Sequence, residues 1–211
     1  MLFLPKGDYR VDDQWRVVGL QGTDSNTVVV DKVFIPAHRV FWLERAERTG
    51  QAPGQTLNPS PLYRLPFVPT PGLALTPAAV GSARAAIAHF QQWIEERVPV
   101  FKVGGASQRE MSGPQTALAE AVTTMDAVEG MMLHCADEIM SWPDRGRRPT
   151  EQESARYYAW RSYMVRQSAR VVDRLFELSG GHAIYLQHPL QIDLARRACR
   201  QPTSITKRIH Q

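Results

Sequence analysis

The chain has 211 residues, 43% of them hydrophobic, enough for one sizeable domain or for one domain with part of another, which argues against a disordered polymer. No run of eighteen apolar residues occurs, and the opening MLFLPKGDYR has neither a basic leader followed by an apolar stretch nor a small-residue cleavage site, so a cytoplasmic protein without membrane contact is expected. The formal charge is +4, and Cys135 and Cys199, the only cysteines, are too few and too far apart for a disulfide framework or a metal cage.

In chain order, the first forty residues alternate as half-buried strands do. Trp15, Val17 and the run TVVVDKVFIP from Thr27 to Pro36 are separated by the turn-formers GLQGTDSN. A strand over Val28 to Ile35 is predicted, with partners lying outside this chain, because the sequence opens inside what already reads as a strand. From Gly50 to Pro71 the chain is rich in Pro, Gly, Asn and Ser, which predicts a long surface connection.

The composition then changes. Thr76 with Pro77 opens a helix to about Val98; Ser112 and Gln115 form a capping-box pattern that opens a second, to about Ser141. Thr150 and Glu153 repeat the device at the head of a third helix, which stops at Gly180-Gly181 after Leu178. A shorter fourth helix is predicted near Pro189. Apolar faces run along the first (Val80, Ala83, Ile87, Phe90, Ile94) and the third (Tyr157, Trp160, Met164, Val171, Leu175, Leu178). Three helices of this length, joined by loops of about nine to fourteen residues, should pack as an antiparallel bundle.

The last twenty residues carry the chain's whole surplus of positive charge, Asp193 against Arg196, Arg197, Arg200, Lys207 and Arg208. Without interleaved aromatic residues this tail reads as a solvated end or a subunit contact, and no nucleic acid is expected as a partner. The six histidines stand singly, without a second ligand at metal spacing, so no metal site is expected. No nucleophile elbow, P-loop or dinucleotide fingerprint appears.

Two features could carry chemistry. In LSGGHAIYLQHPLQ, from Leu178 to Gln191, two glycines end a long helix; they either cap it or let backbone amides approach a phosphate or a flavin edge. Arg109 precedes the helix headed by Ser112 and is either a surface arginine or a guanidinium for an anion at that helix's positive end.

The segment WRVVGLQGTDSNTVVVDKVFIPAHRV resembles the stretch of the acyl-CoA dehydrogenase superfamily where strands leave the middle β domain. Trp15 with Gly22-Thr23-x-Ser25 is more similar to the two-component flavin monooxygenases, which hydroxylate phenols, than to the dehydrogenases. The resemblance continues through Arg109 and Gln115 to LFELSGGHAIYLQHPLQ and covers nearly the whole chain.

It implies a mainly α chain: a partial middle β domain over 1–45, a connecting loop over 46–75, and a carboxy-terminal antiparallel helical bundle domain over 76–211, with the family's amino-terminal helical domain and first strands absent. It implies a homotetramer and a flavin between subunits, with Arg109 on the flavin phosphates, Gln115 beside it, and backbone contributed by Ser179, Gly180 and Gly181. Reduced FMN or FAD would come from a separate flavin reductase and deliver oxygen to a small aromatic substrate, phenolic or polycyclic. In similar monooxygenases the final helix carries a tryptophan-arginine-aspartate signature and then a histidine close to the flavin. Here Pro189-Leu190-Gln191 runs directly into IDLARRACRQPTS, and Gln201 falls where that histidine would align. Glutamine exchanges no proton near neutral pH, which leaves His182 and His188 as catalytic candidates.

Two other readings stay open. An acyl-CoA dehydrogenase shares the fold and the flavin but needs a catalytic glutamate, and no carboxylate occurs between Glu177 and Asp193. The truncated chain could also be an inactive helical assembly fragment.

Overall fold

The computed structural model describes residues 1–17, 21–96, 111–185 and 187–191. Its elements are β1 (Arg10–Asp12), β2 (Thr27–Val29), α1 (Leu43–Thr49), α2 (Pro69–Ala74), α3 (Thr76–Glu96), α4 (Ser112–Met140) and α5 (Glu151–Leu178), with short 3-10 turns between them. The chain is mainly α, as expected, and residues 189–191 begin a further helical turn. Two compact units divide it: Met1–Ala74 with Leu133–Tyr158, and Leu75–Met132 with Ala159–Gln211.

In the first unit, β1 and β2 pair antiparallel with Val11 opposite Val28, and both valines remain more than half exposed. The strand expected over Val28 to Ile35 is thus corrected to Thr27–Val29, and no strand forms at Trp15 or Val17. Lys32 explains the early stop: it adopts φ 49°, a left-handed conformation that no ladder continues through. Residues 1–3 instead lie along 39–41, the Met1 ammonium donating to the Phe41 carbonyl at 2.7 Å and the Phe3 amide to Arg39 at 2.9 Å.

The connection expected as loop carries helical turns of its own. α1 closes at Gly50, whose φ of 69° suits a residue without a β-carbon and whose amide returns to Ala46 at 2.8 Å. A 3-10 turn over Pro61–Arg64 is headed by Ser60, whose side chain accepts from the Leu62 amide.

The tip between α4 and α5 also belongs to this unit. Trp142 is buried and its indole N–H donates to the Tyr157 hydroxyl at 2.7 Å, with the guanidinium carbons of Arg145 and Arg147 lying 4.3 and 4.9 Å from the indole centroid. At the head of α5 the predicted capping box forms: the Glu153 amide donates to Thr150 Oγ1 at 3.2 Å, and the Thr150 amide donates to Glu153 Oε2 at 2.8 Å.

The second unit holds the main core. The alanine-rich α3 buries Val80, Ala83, Ala86, Ile87, Phe90 and Ile94, one face of a helical repeat. α4 contributes Ala117, Ala121, Met125 and Val128, and α5 contributes Met164, Val171, Val172 and Leu175. Trp160 and Leu178, expected on the same face of α5, are half-buried. Arg84 ties α3 to α4, its Nε 2.6 Å from Glu129 Oε1 and its Nη2 2.6 Å from Asp126 Oδ1. Those carboxylates raise the Arg84 pKa, and the guanidinium in turn holds Glu129 below the usual carboxylate range.

Among the described residues, no helix is long and apolar enough to cross a membrane.

Candidate functional site

The end of α5 shows why the glycine pair stands where it does. Ser179 is fully buried. Its amide donates to the carbonyls of Leu175 and Phe176 at 3.1 and 3.2 Å, and its hydroxyl turns back to the Leu175 carbonyl at 2.8 Å. Both its amide and its hydroxyl thus serve the last turn of the helix. Gly180 follows at φ 68°, the left-handed residue that commonly ends a helix, where a β-carbon would be strained.

Gly181 is under no such constraint. It is exposed, and among the described residues a β-carbon placed on it would meet no atom within 4 Å. The cap therefore accounts for Gly180, whereas among the described residues no packing contact calls for glycine at 181.

After the glycines the chain makes a 3-10 turn, Gly180–Ile184, pinned by the fully buried Ala183 and Leu190. Ile184 and Tyr185 point outward, 64% and 54% exposed. The His188 amide donates to the Tyr185 carbonyl at 2.9 Å, and the Gln191 side chain donates to the Ile184 carbonyl at 3.2 Å. The described residues of 179–185 and 187–191 are thus joined by these hydrogen bonds, with the glycine pair exposed at their edge. Such an edge leaves backbone uncovered, so a phosphate or the rim of a planar ring could approach it without a side chain intervening.

Of the other candidates, Gln115 lies in the first turn of α4 and is exposed. His188 is half-buried and its Nδ1 accepts the Leu190 amide at 3.3 Å, so the neutral ring carries its proton on Nε2. The backbone of His182 lies in the 3-10 turn, and its side chain falls outside the described residues. Arg109, Gln201 and Cys199 also lie outside them. Cys135 is buried, and that burial with Glu138 nearby pushes its thiol up to about 11, which suits an inert core residue. Among the described residues, no group of three or more His, Cys, Asp or Glu side chains is placed to hold a metal.

Residues 73–200 match the acyl-CoA dehydrogenase, C-terminal domain. The chain belongs to the acyl-CoA dehydrogenase family. Within that family it is similar to the "Flavin-dependent monooxygenase, oxygenase subunit HsaA" of Rhodococcus jostii (strain RHA1), 34% identical over 89% of this chain and 49% of the relative. It is also similar to the "FADH(2)-dependent resorcinol hydroxylase, oxygenase component" of Rhizobium sp. (strain MTP-10005), 29% identical over 99% of this chain and 51% of the relative. Its fold superposes on the crystal structure of the HsaA monooxygenase from M. tuberculosis with a TM-score of 0.80, at 28% identity, covering 96% of this chain and 51% of that one. This acyl-CoA dehydrogenase family member therefore spans about half the length of the curated relatives it matches.

A second cluster, in the first unit, has no signal in the sequence. Arg148 donates from Nε to the Glu47 carbonyl and from Nη1 to the Arg64 carbonyl, both at 3.1 Å, and its Nη2 lies 3.8 Å from Glu47 Oε2. Glu47 Oε2 in turn accepts the Phe67 amide at 2.8 Å. Gln55 donates to the carbonyls of Gly50 and Tyr63 at 3.1 and 3.0 Å. These partners are up to 101 residues apart in the chain, and no local pattern announces them.

Proposed function

We propose that this chain is the carboxy-terminal half of the oxygenase component of a two-component monooxygenase, hydroxylating an aromatic substrate, phenolic or polycyclic, with reduced FMN or FAD from a separate flavin reductase. The observation that carries the reading is its likeness, over 89% and 99% of its length, to proteins named as oxygenase subunit and oxygenase component. The missing carboxylate between Glu177 and Asp193 supports it over a thioester dehydrogenase, which needs a base to remove an α-proton.

The residues present suit a flavin. The exposed glycine edge at 180–181 has room for a ring or a phosphate, and glycine at 181 leaves the backbone there uncovered by a side chain. Arg109 would supply paired donors to the phosphates, Gln115 a further polar contact, and Ser179 its backbone. His182 or His188 would handle the phenol proton, and His188 could do so only by giving up the Leu190 amide or by working through Nε2. The bound reduced flavin supplies the oxygen chemistry, and the protein's share is to orient both rings and exclude water. Assembly as a homotetramer, with each flavin between subunits, completes the reading.

The test is anaerobic titration of reduced FMN and reduced FAD into the 211-residue chain and its Arg109→Ala and Gly181→Val variants. Loss of the guanidinium contact should weaken binding roughly ten- to a hundredfold, from a charge-assisted hydrogen bond of about 1.5 to 3 kcal/mol. Unchanged affinity in both variants, with the fold intact, would discard the flavin site. Reduction of bound flavin by a panel of acyl-CoA thioesters would point to a dehydrogenase instead.

A further inference from the structure

The first unit contains a half-open cavity of about 290 Å³, built from the 41–71 connection and Arg148. Three aromatic residues, Phe41, Tyr63 and Phe67, line it, and its wall is predominantly apolar. Its polar lining residues mostly hold the wall together. Arg148 grips the Glu47 and Arg64 carbonyls, Glu47 fixes the Phe67 amide, and Gln55 joins the Gly50 and Tyr63 carbonyls.

Gly50 fits the same device. In its left-handed conformation it lets Arg148 pack close, and a β-carbon there would sit 3.3 Å from Arg148 Nε.

Each of these polar side chains keeps one group unspent. Among the described residues, Oε1 of Glu47 and Oε1 of Gln55 accept no hydrogen bond, and Nη2 of Arg148 has only the 3.8 Å approach to Glu47. An apolar cavity of roughly 150 Å³ already takes benzene, and sites for drug-sized molecules start at about 300 Å³. The volume therefore suits one ring with substituents, the aromatic wall suits a flat one, and a lining carboxylate and carboxamide that each keep an acceptor oxygen suit a ring hydroxyl.

We propose that this cavity is a binding site for a single hydroxylated aromatic ring. The site stands apart from the flavin reading, because it uses none of Arg109, Gln115 or the 179–191 segment, and binding alone tests it.

Phenol is titrated into the full 211-residue chain and followed by saturation-transfer and chemical-shift NMR, with toluene as the ring lacking a hydroxyl. Saturable binding of phenol with shifts at Phe41, Tyr63 and Phe67 is the expected result. Toluene should bind roughly two- to tenfold more weakly, the worth of one hydrogen bond. Ala52→Phe, which puts a ring into the cavity, should abolish binding. Leu62→Trp obstructs it from a lining position that is 61% exposed and thus little threat to folding. Absence of saturable binding, equal affinity for toluene, or unchanged phenol affinity in a folded Leu62→Trp chain would each overturn the proposal.

Discussion

Two adjacent glycines with identical side chains do different work, and substitution separates them. Gly180 sits at φ 68°, so Gly180→Ala should cost about 1 to 2 kcal/mol of stability, read from urea unfolding. Gly181→Ala should leave stability within about 0.5 kcal/mol, since nothing among the described residues meets its β-carbon. If reduced flavin approaches there, that same alanine should weaken flavin binding, a dissociation that a purely structural glycine would not show. Phe90 marks the opposite extreme, fully buried and stacked on Trp93 with ring centroids 5.5 Å apart. Phe90→Ala should cost about 3 to 5 kcal/mol, and a loss below about 1 kcal/mol would show that this face of α3 is not the core.

At the scale of the element, the head of α5 is the clearest case of local sequence writing local structure. Thr150 and Glu153 exchange hydrogen bonds with each other's amides, and Arg147 adds two further contacts to the Glu153 carboxylate, both at 2.8 Å. Thr150→Ala should therefore destabilise the chain by about 1 kcal/mol. The Arg147 guanidinium, followed by the Thr150 amide, lowers the Glu153 pKa from 4.5 to about 2. A depressed carboxylate contributes stability that is fully present above its unfolded value and is lost as pH falls through the folded one. Stability should thus decline between about pH 4.5 and pH 2, and Glu153→Gln should flatten that part of the profile. A profile of the same slope in the glutamine variant would remove Glu153 from the account. The Arg84 clamp on Glu129 and Asp126 is partly exposed, so Arg84→Met should cost only about 1 kcal/mol, and less in high salt.

For the molecule as a whole, large apolar side chains stand uncovered on the described surface, among them Phe34 at 88%, Leu57 at 83% and Trp42 at 70% exposure. Isolated exposed residues need no explanation, but this many large ones in a chain half the length of its relatives predicts association. Light scattering should report concentration-dependent oligomers, with a tetramer as the species consistent with the family resemblance. A monodisperse monomer across a hundredfold range of concentration would contradict this.

The helices are legible in the sequence because their signals are local. Capping pairs lie within three residues of each other, and apolar positions repeat every three or four, so Ser112, Thr150 and the stop at Leu178 could be placed to within a residue or two. The motif order, read through its resemblance, also named the family that residues 73–200 match. The strand length was not legible, since a run such as TVVVDKVFI extends only as far as a partner and an unbroken backbone allow, and Lys32 turns away after Val29 and Val30. Nor could sequence foresee that Ser179 would spend its hydroxyl on Leu175, or that Arg148 would reach across 101 positions to Glu47. Periodicity and caps are settled within a turn of helix, whereas a guanidinium's partners are chosen only when distant segments have been packed against it.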